Sequence, residues 1–274
     1  MKYDRQRSGL ISARRELVTP IGHRRDGSPI WPIAGKNPAI PIPQAVGTTT
    51  VGAGAISVPW PTHLADDIGV LVTEYDTNGG TPPASVTGFT QFPFSPFGTG
   101  TAPTSSTGLS VWWRRATGAS ESNGEVGDCG NHAVGRIVTL RGCIATGDPY
   151  NVISSTQTDD TEDTSQSILG TTTTVAECLI LILCANGANF ATNSWSNLTN
   201  ADLANLTNWA SDHDTIINGG GFLIAYGEKA SAGTYGTTTV TSQRTSAEAS
   251  VSIAFKPPEP PSTTEQSFAV VAGV

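Results

Sequence analysis

The stretch at residues 175–185 constrains the fold most. Both of its alternating side-chain sets are apolar apart from Glu177. Successive residues of a strand point to opposite faces, so this run needs cover on both sides and belongs at the centre of a layered β structure. Its wholly apolar part, from Leu179 to Ala185, is seven residues long. A membrane-spanning helix needs about twenty, so no membrane span is expected. Residues 46–255 continue the pattern. Residues 68–76 run into Asn78-Gly79-Gly80, a turn signal. Segments 108–116, 131–141, 221–228, 236–242 and 247–255 complete the predicted strands. With 30 glycines and 18 prolines interrupting helices, the expected class is all-β, a β-sandwich or jelly roll.

Within that frame, Ala247, Ala249, Val251, Ile253 and Phe255 form a core face, and Glu248, Ser250, Ser252 and Ala254 a mostly wet one. One short helix is expected over residues 201–210, with Asn200 as N-cap and Leu203, Leu206 and Trp209 on one side. In Leu109-Ser110-Val111-Trp112-Trp113-Arg114, the apolar set 109, 111 and 113 assigns Trp113 to the core. Trp112 and Arg114 then share the other face, as a candidate surface aromatic and partner contact or a second layer of the sandwich.

Charge divides the chain. Residues 1–36 hold eight basic and three acidic residues, +5, leaving −13 for the remainder. Asymmetry of this kind marks an interaction tail. Six prolines between Pro20 and Pro43 exclude a helix there. Residues 1–45 therefore read as an extended arm. Its apolar residues Ile21, Ile30, Trp31 and Ile33 need a surface supplied by something else, and Arg14, Arg15, Arg24 and Arg25 add attraction to an acidic partner. Nucleic acid is not expected as that partner, because the arm has no stacking series and phosphates repel an acidic body. Residues 46–257 form the expected domain, and residues 258–274 a proline-rich spacer and tail. The polar, basic start at Met1 does not read as a signal peptide.

Reactive-looking groups have plain readings. Cys178 and Cys184 share a strand face but lie roughly 20 Å apart along it, too far to bond. Cys129 and His132 make a C-x-x-H without a second close pair, so no metal is expected, though Cys129 and Cys143 could oxidise together after release. His213 between Asp212 and Asp214 lacks a nucleophile elbow, His63 reads as a polar-loop residue, and no third glycine completes a nucleotide loop. The acidic run 159–163 lacks the alternation of a calcium loop and reads as a solvated loop. No catalytic residue and no cofactor are expected.

The segment Thr19-Pro20-Ile21-Gly22-His23-Arg24-Arg25-Asp26-Gly27-Ser28-Pro29-Ile30-Trp31-Pro32-Ile33-Ala34-Gly35 resembles the R-x-D-G-x-P-I-x-P-I-x-G leader of tailed-bacteriophage virion proteins. Val111-Trp112-Trp113-Arg114-Arg115-Ala116 and Val251-Ser252-Ile253-Ala254-Phe255 are similar to stretches of small phage β-sandwich modules. The resemblance implies a non-enzymatic virion structural protein. In that reading it is a capsid decoration or cement protein on the capsid exterior, with the major capsid protein or other virion proteins as partners and a homo-oligomer as its form. The alternatives are a minor tail or fibre-base protein, or a host-glycan-binding module using Trp112 with Phe92, Phe94, Phe97 and Tyr235.

Overall fold

A computed structural model describes residues 22–23, 29–30, 39–77, 80–101, 106–155, 157–189, 195–215 and 219–259. The chain divides into two compact units, Met1–Asn37 with Pro260–Val274, and Pro38–Glu259. In the first, β1 (Gly22–His23) pairs antiparallel with β2 (Pro29–Ile30), so the arm doubles back there.

The second unit builds one sheet from each half of its sequence. Its first half supplies β3 (Ile42–Val46), β4 (Thr50–Gly52), β5 (Ile56–Val58), β6 (Ile68–Tyr75), β7 (Thr90–Gln91), β8 (Phe97–Thr101), β9 (Ser106–Arg115), β10 (Gly124–Val126) and β11 (Ala133–Arg141). Sheet 1 runs β3-β11-β6-β9-β7, with β4 also on β11 and β8 also on β9, while β5 pairs with β10 alone. The second half supplies β12 (Tyr150–Ile153), β13 (Gln157–Ile168), β14 (Thr172–Thr173), β15 (Cys178–Asn186), β16 (Trp195–Thr199), β17 (Ala204–Asp214), β18 (Gly220–Lys229), β19 (Gly233–Thr234) and β20 (Thr238–Phe255). Sheet 2 runs β12-β20-β15-β18-β17, with β13 and β16 also on β20, and β14 pairs with β19. The all-β sandwich is as expected. Among the described residues each sheet comes from a contiguous part of the sequence, without the strand alternation between sheets that marks a jelly roll.

The sandwich is covered on both outer faces, which explains the doubly apolar strands. Between the sheets, Ile68, Val70 and Val72 of β6 meet Leu179, Leu181 and Leu183 of β15 and Val251, Ile253 and Phe255 of β20. Outside sheet 1, Leu71, Tyr75, Trp112 and Ile137 lie under Ile56, Val58 and Val126 of the β5–β10 pair. Outside sheet 2, Ile180, Ile182, Leu223 and Ala254 lie under Ile168, Trp195, Tyr235 and Val240. That last cover is made by β20 itself. Residues 236–242 and 247–255 belong to one 18-residue strand. Ser167 of β13 pairs with Thr239 near the start of β20, yet its N–H donates to the Glu248 Oε2 at 3.0 Å. Both strands therefore bend back and lay a flap over the sheet.

This bend overturns the expected wet face: Glu248, Ser250, Ser252 and Ala254 are all buried. The polar members are the flap's hydrogen-bonding partners. Ser252 Oγ donates to Leu169 O at 2.7 Å, and Ser250 Oγ to Ser167 O at 3.4 Å. The helix expected over residues 201–210 is instead part of β17. Asn200 does cap, but it caps a turn: its Oδ1 accepts from Asp202 N and its Nδ2 donates to Gly236 O, both at 2.9 Å. A register shift between Ala204 and Thr207, with Asn205 at φ 51°, brings Leu203 and Leu206 to one face without helical periodicity. The acidic run 159–163 lies in β13 around a bulge rather than in a free loop. The domain also starts earlier than residue 46, because β3 pairs with β11 through residues 42–46.

Candidate functional site

Of the arm residues, Gly22, His23, Pro29 and Ile30 are described as backbone only, in β1 and β2. Arg14, Arg15, Ile21, Arg24, Arg25, Trp31 and Ile33 lie outside the described residues. Trp112 is no surface platform. It is 1% exposed, packed beneath the β5–β10 pair, while Trp113 is the half-buried one and packs at the inter-sheet core. Both outer faces of the sandwich are covered, so facing away from the main core does not mean facing water. Arg114 is a local clamp. It pairs with Glu121, donates to Ser122 Oγ at 3.3 Å, and lies against Gly88. Burial raises the Glu121 carboxyl, but the Thr117 N–H and hydroxyl and the Arg114 guanidinium outweigh it and hold it below its ordinary value. Of the aromatics considered for glycans, Phe92, Phe97 and Tyr235 are buried and Phe94 is 75% exposed. Phe94, at φ 68°, lines a hollow of about 300 Å³ with Ile153, Ser154 and Ser155.

The strongest chemical constellation lies between the sheets. Glu74 continues the inward-facing set of Ile68, Val70 and Val72 on β6, placing a carboxylate in the core. His132 Nε2 meets its Oε2 at 2.7 Å, and Thr107 Oγ1 donates to its Oε1 at 3.0 Å. Gly220 makes the room, since a Cβ there would stand 2.5 Å from Glu74 Oε1. Burial pushes the Glu74 carboxyl up, against the lowering effect of His132 and Thr107. A nucleophilic triad places the imidazole between hydroxyl and carboxylate. Here the carboxylate is in the middle, the hydroxyl donates to it, and Glu74 and His132 are fully buried. The arrangement fastens β6, β9 and the approach to β11 together and presents no nucleophile.

Four residues after His132, Arg136 of β11 bridges the sheets to Asp212 of β17 at 2.7 Å, with Thr49 hydrogen-bonded to both. Burial raises the Asp212 carboxyl, while Thr49 and Arg136 lower it. Asp212 thus faces the core, and His213 follows on the opposite face of the strand. His63 Nδ1 donates to Pro61 O at 2.7 Å, and its ring packs tilted against Trp60. All four cysteines are free and buried. Cys178 and Cys184 sit on one strand as expected. Cys129 lies in the outer layer of sheet 1, with Cys143 in the inter-sheet core. Sequence reading missed Glu74, Arg136 and Glu248. For Glu74 the signal was available, because its parity matches the apolar set of its own strand.

The chain matches no protein-family model, no curated protein and no solved structure.

Proposed function

We propose that the protein is a structural component of a tailed-phage virion, a capsid decoration or cement protein whose N-terminal arm binds the capsid lattice. The observation that carries this reading is the partition of the chain. Residues 38–259 form a compact unit with its own layered core. The N-terminal residues 1–36, in contrast, carry +5 charge, closely spaced prolines and the apolar residues Ile30, Trp31 and Ile33. Such a segment has little to bury by itself and gains most against another surface. Within the body, the ionisable groups that resemble catalytic ones are tied into contacts between strands, which supports a structural role over an enzymatic one. The mechanism is avidity: each arm buries a modest apolar area, and many symmetry-related copies bridge neighbouring subunits. A minor tail or fibre-base protein anchored by the same arm is the nearest alternative. The hollow beside Phe94 favours a second reading, a host-glycan contact in which a sugar ring stacks on Phe94. Microscopy of particles carrying a tagged copy of this chain tests the main reading. Label over the whole capsid exterior is expected; label confined to the tail, or none on particles, rejects it.

A further inference from the structure

Beneath the flap of sheet 2, three side chains form one row across β13, β20 and β15. Asp159 and Asn186 are the direct cross-strand partners of Glu248 on either side, so all three project from the same face. Glu248 is 1% exposed and Asn186 fully buried. Glu248 Oε2 accepts from Ser167 N at 3.0 Å, and Asn186 Nδ2 donates to Ser242 Oγ at 3.2 Å. Each residue thus anchors the bent-back segments to the sheet. The two remaining oxygens, Glu248 Oε1 and Asn186 Oδ1, are buried without a hydrogen-bond partner. Two orphaned acceptors on adjacent residues are costly together. One proton satisfies both.

We infer that Glu248 holds a proton that it donates to Asn186 Oδ1, and that losing this proton loosens the flap from sheet 2. The surroundings favour the protonated acid. From β13 the facing charge is the Asp159 carboxylate, with Asp163 opposite Ser246 at the bend. From β15 the nearest titratable group is the buried Cys184 thiol. On β20 the nearest cation, Arg244, is exposed beyond the bend. Burial pushes the Glu248 carboxyl up to about 7 against the lowering effect of Ser250, Ser167 and the Cys184 thiol, and Asp159 adds to the rise. Ionised, Glu248 keeps the Ser167 N–H and has the Ser250 hydroxyl and Cys184 thiol beside it, but it faces an anion on one side and a carbonyl oxygen on the other. The Asn186 amide then has to give up its bond to Ser242 or leave the carboxylate unpaired.

The sign follows from proton counting. Between an ordinary 4.5 and about 7 the folded chain keeps a proton that the unfolded chain has lost, so stability falls as pH rises through this window and levels off above it. Glu248→Gln supplies an amide N–H to Asn186 and a carbonyl oxygen to Ser167 at every pH. The test is chemical unfolding of the full chain from pH 4.5 to 8.5, wild type against Glu248→Gln, together with a carbon-13 NMR titration of the Glu248 carboxyl in wild type. The expected result is a carboxyl titrating near neutrality. The unfolding constant of wild type relative to the variant should then rise more than about a hundredfold across the window. A carboxyl titrating near 4.5 would overturn the proposal, as would parallel profiles for the two proteins. Either outcome would mean that the Asn186 amide lies reversed, donating to an ionised Glu248 and accepting from the Ser242 hydroxyl. The wild-type titration decides the matter even if the variant does not fold.

Discussion

Trp112→Ala separates a buried keystone from a surface platform. The indole is 1% exposed and packs with Leu71, Tyr75, Val126 and Ile137 in the layer outside sheet 1. Truncating a buried Trp costs about 3–5 kcal/mol, counting lost transfer energy and the cavity left behind. For a domain of 150–250 residues each kcal/mol moves the melting temperature by about 2–4 °C, so the midpoint should fall by about 6–20 °C. Trp112 Nε1 has no hydrogen-bond partner among the described residues. Trp112→Phe should therefore recover much of the loss, since it gives up volume and no hydrogen bond. Scanning calorimetry on the full chain reads all three proteins. A shift under about 3 °C for Trp112→Ala would refute the layered packing outside sheet 1 and return Trp112 to the surface.

Four further outcomes are expected. Gly220→Ala should destabilise by about 1–3 kcal/mol in denaturant unfolding, because its methyl would meet the Glu74 carboxylate at 2.5 Å. Arg136→Ala should cost about 3 kcal/mol by leaving Asp212 buried without its cation, and Asp212→Asn in the same background should recover part of that in a double-mutant cycle. Glu74 and Asp212 are both raised by burial, so they add to the Glu248 effect and the folded chain should resist moderate acid better than mild base. A melting temperature that climbs steadily from pH 5 to 8 contradicts this. Residues 38–259 alone should fold and melt like the full chain, whereas starting at residue 46 strips β3 from β11 and should lower the melting point and promote aggregation.

The parts of the fold legible in sequence are those where one local pattern has one tertiary meaning. The doubly apolar run became β15, central and buried on both faces, and Ile68 onward became β6. Legibility failed where a polar residue had a partner far along the chain. Ser250 and Ser252 look wet because the segment that satisfies them, around Ser167 and Leu169, is over eighty residues away. Leu203 and Leu206 mimic helical spacing because the irregularity at the start of β17 puts two residues three apart on one face. Trp112 was assigned to the right face, but no local signal reveals that the β5–β10 pair covers it. The arm is a different case. Its composition is that of a segment with little to bury by itself, and it does not identify a partner.

The central claim is that the arm attaches the protein to a virion. The direct measurement is occupancy on particles lacking the protein, after adding back the full chain, residues 38–259, Trp31→Ala and an Arg24→Ala, Arg25→Ala double variant across a salt series. Burying Ile30, Trp31 and Ile33 contributes about 1.5–3 kcal/mol each before ordering costs, whereas exposed arginine attraction is screened by salt. The account predicts saturation by the full chain and none by residues 38–259. Trp31→Ala should bind weakly at every salt concentration, and the arginine variant's deficit should fade as salt rises. Full occupancy by residues 38–259 would show that the sandwich does the binding and would contradict the account.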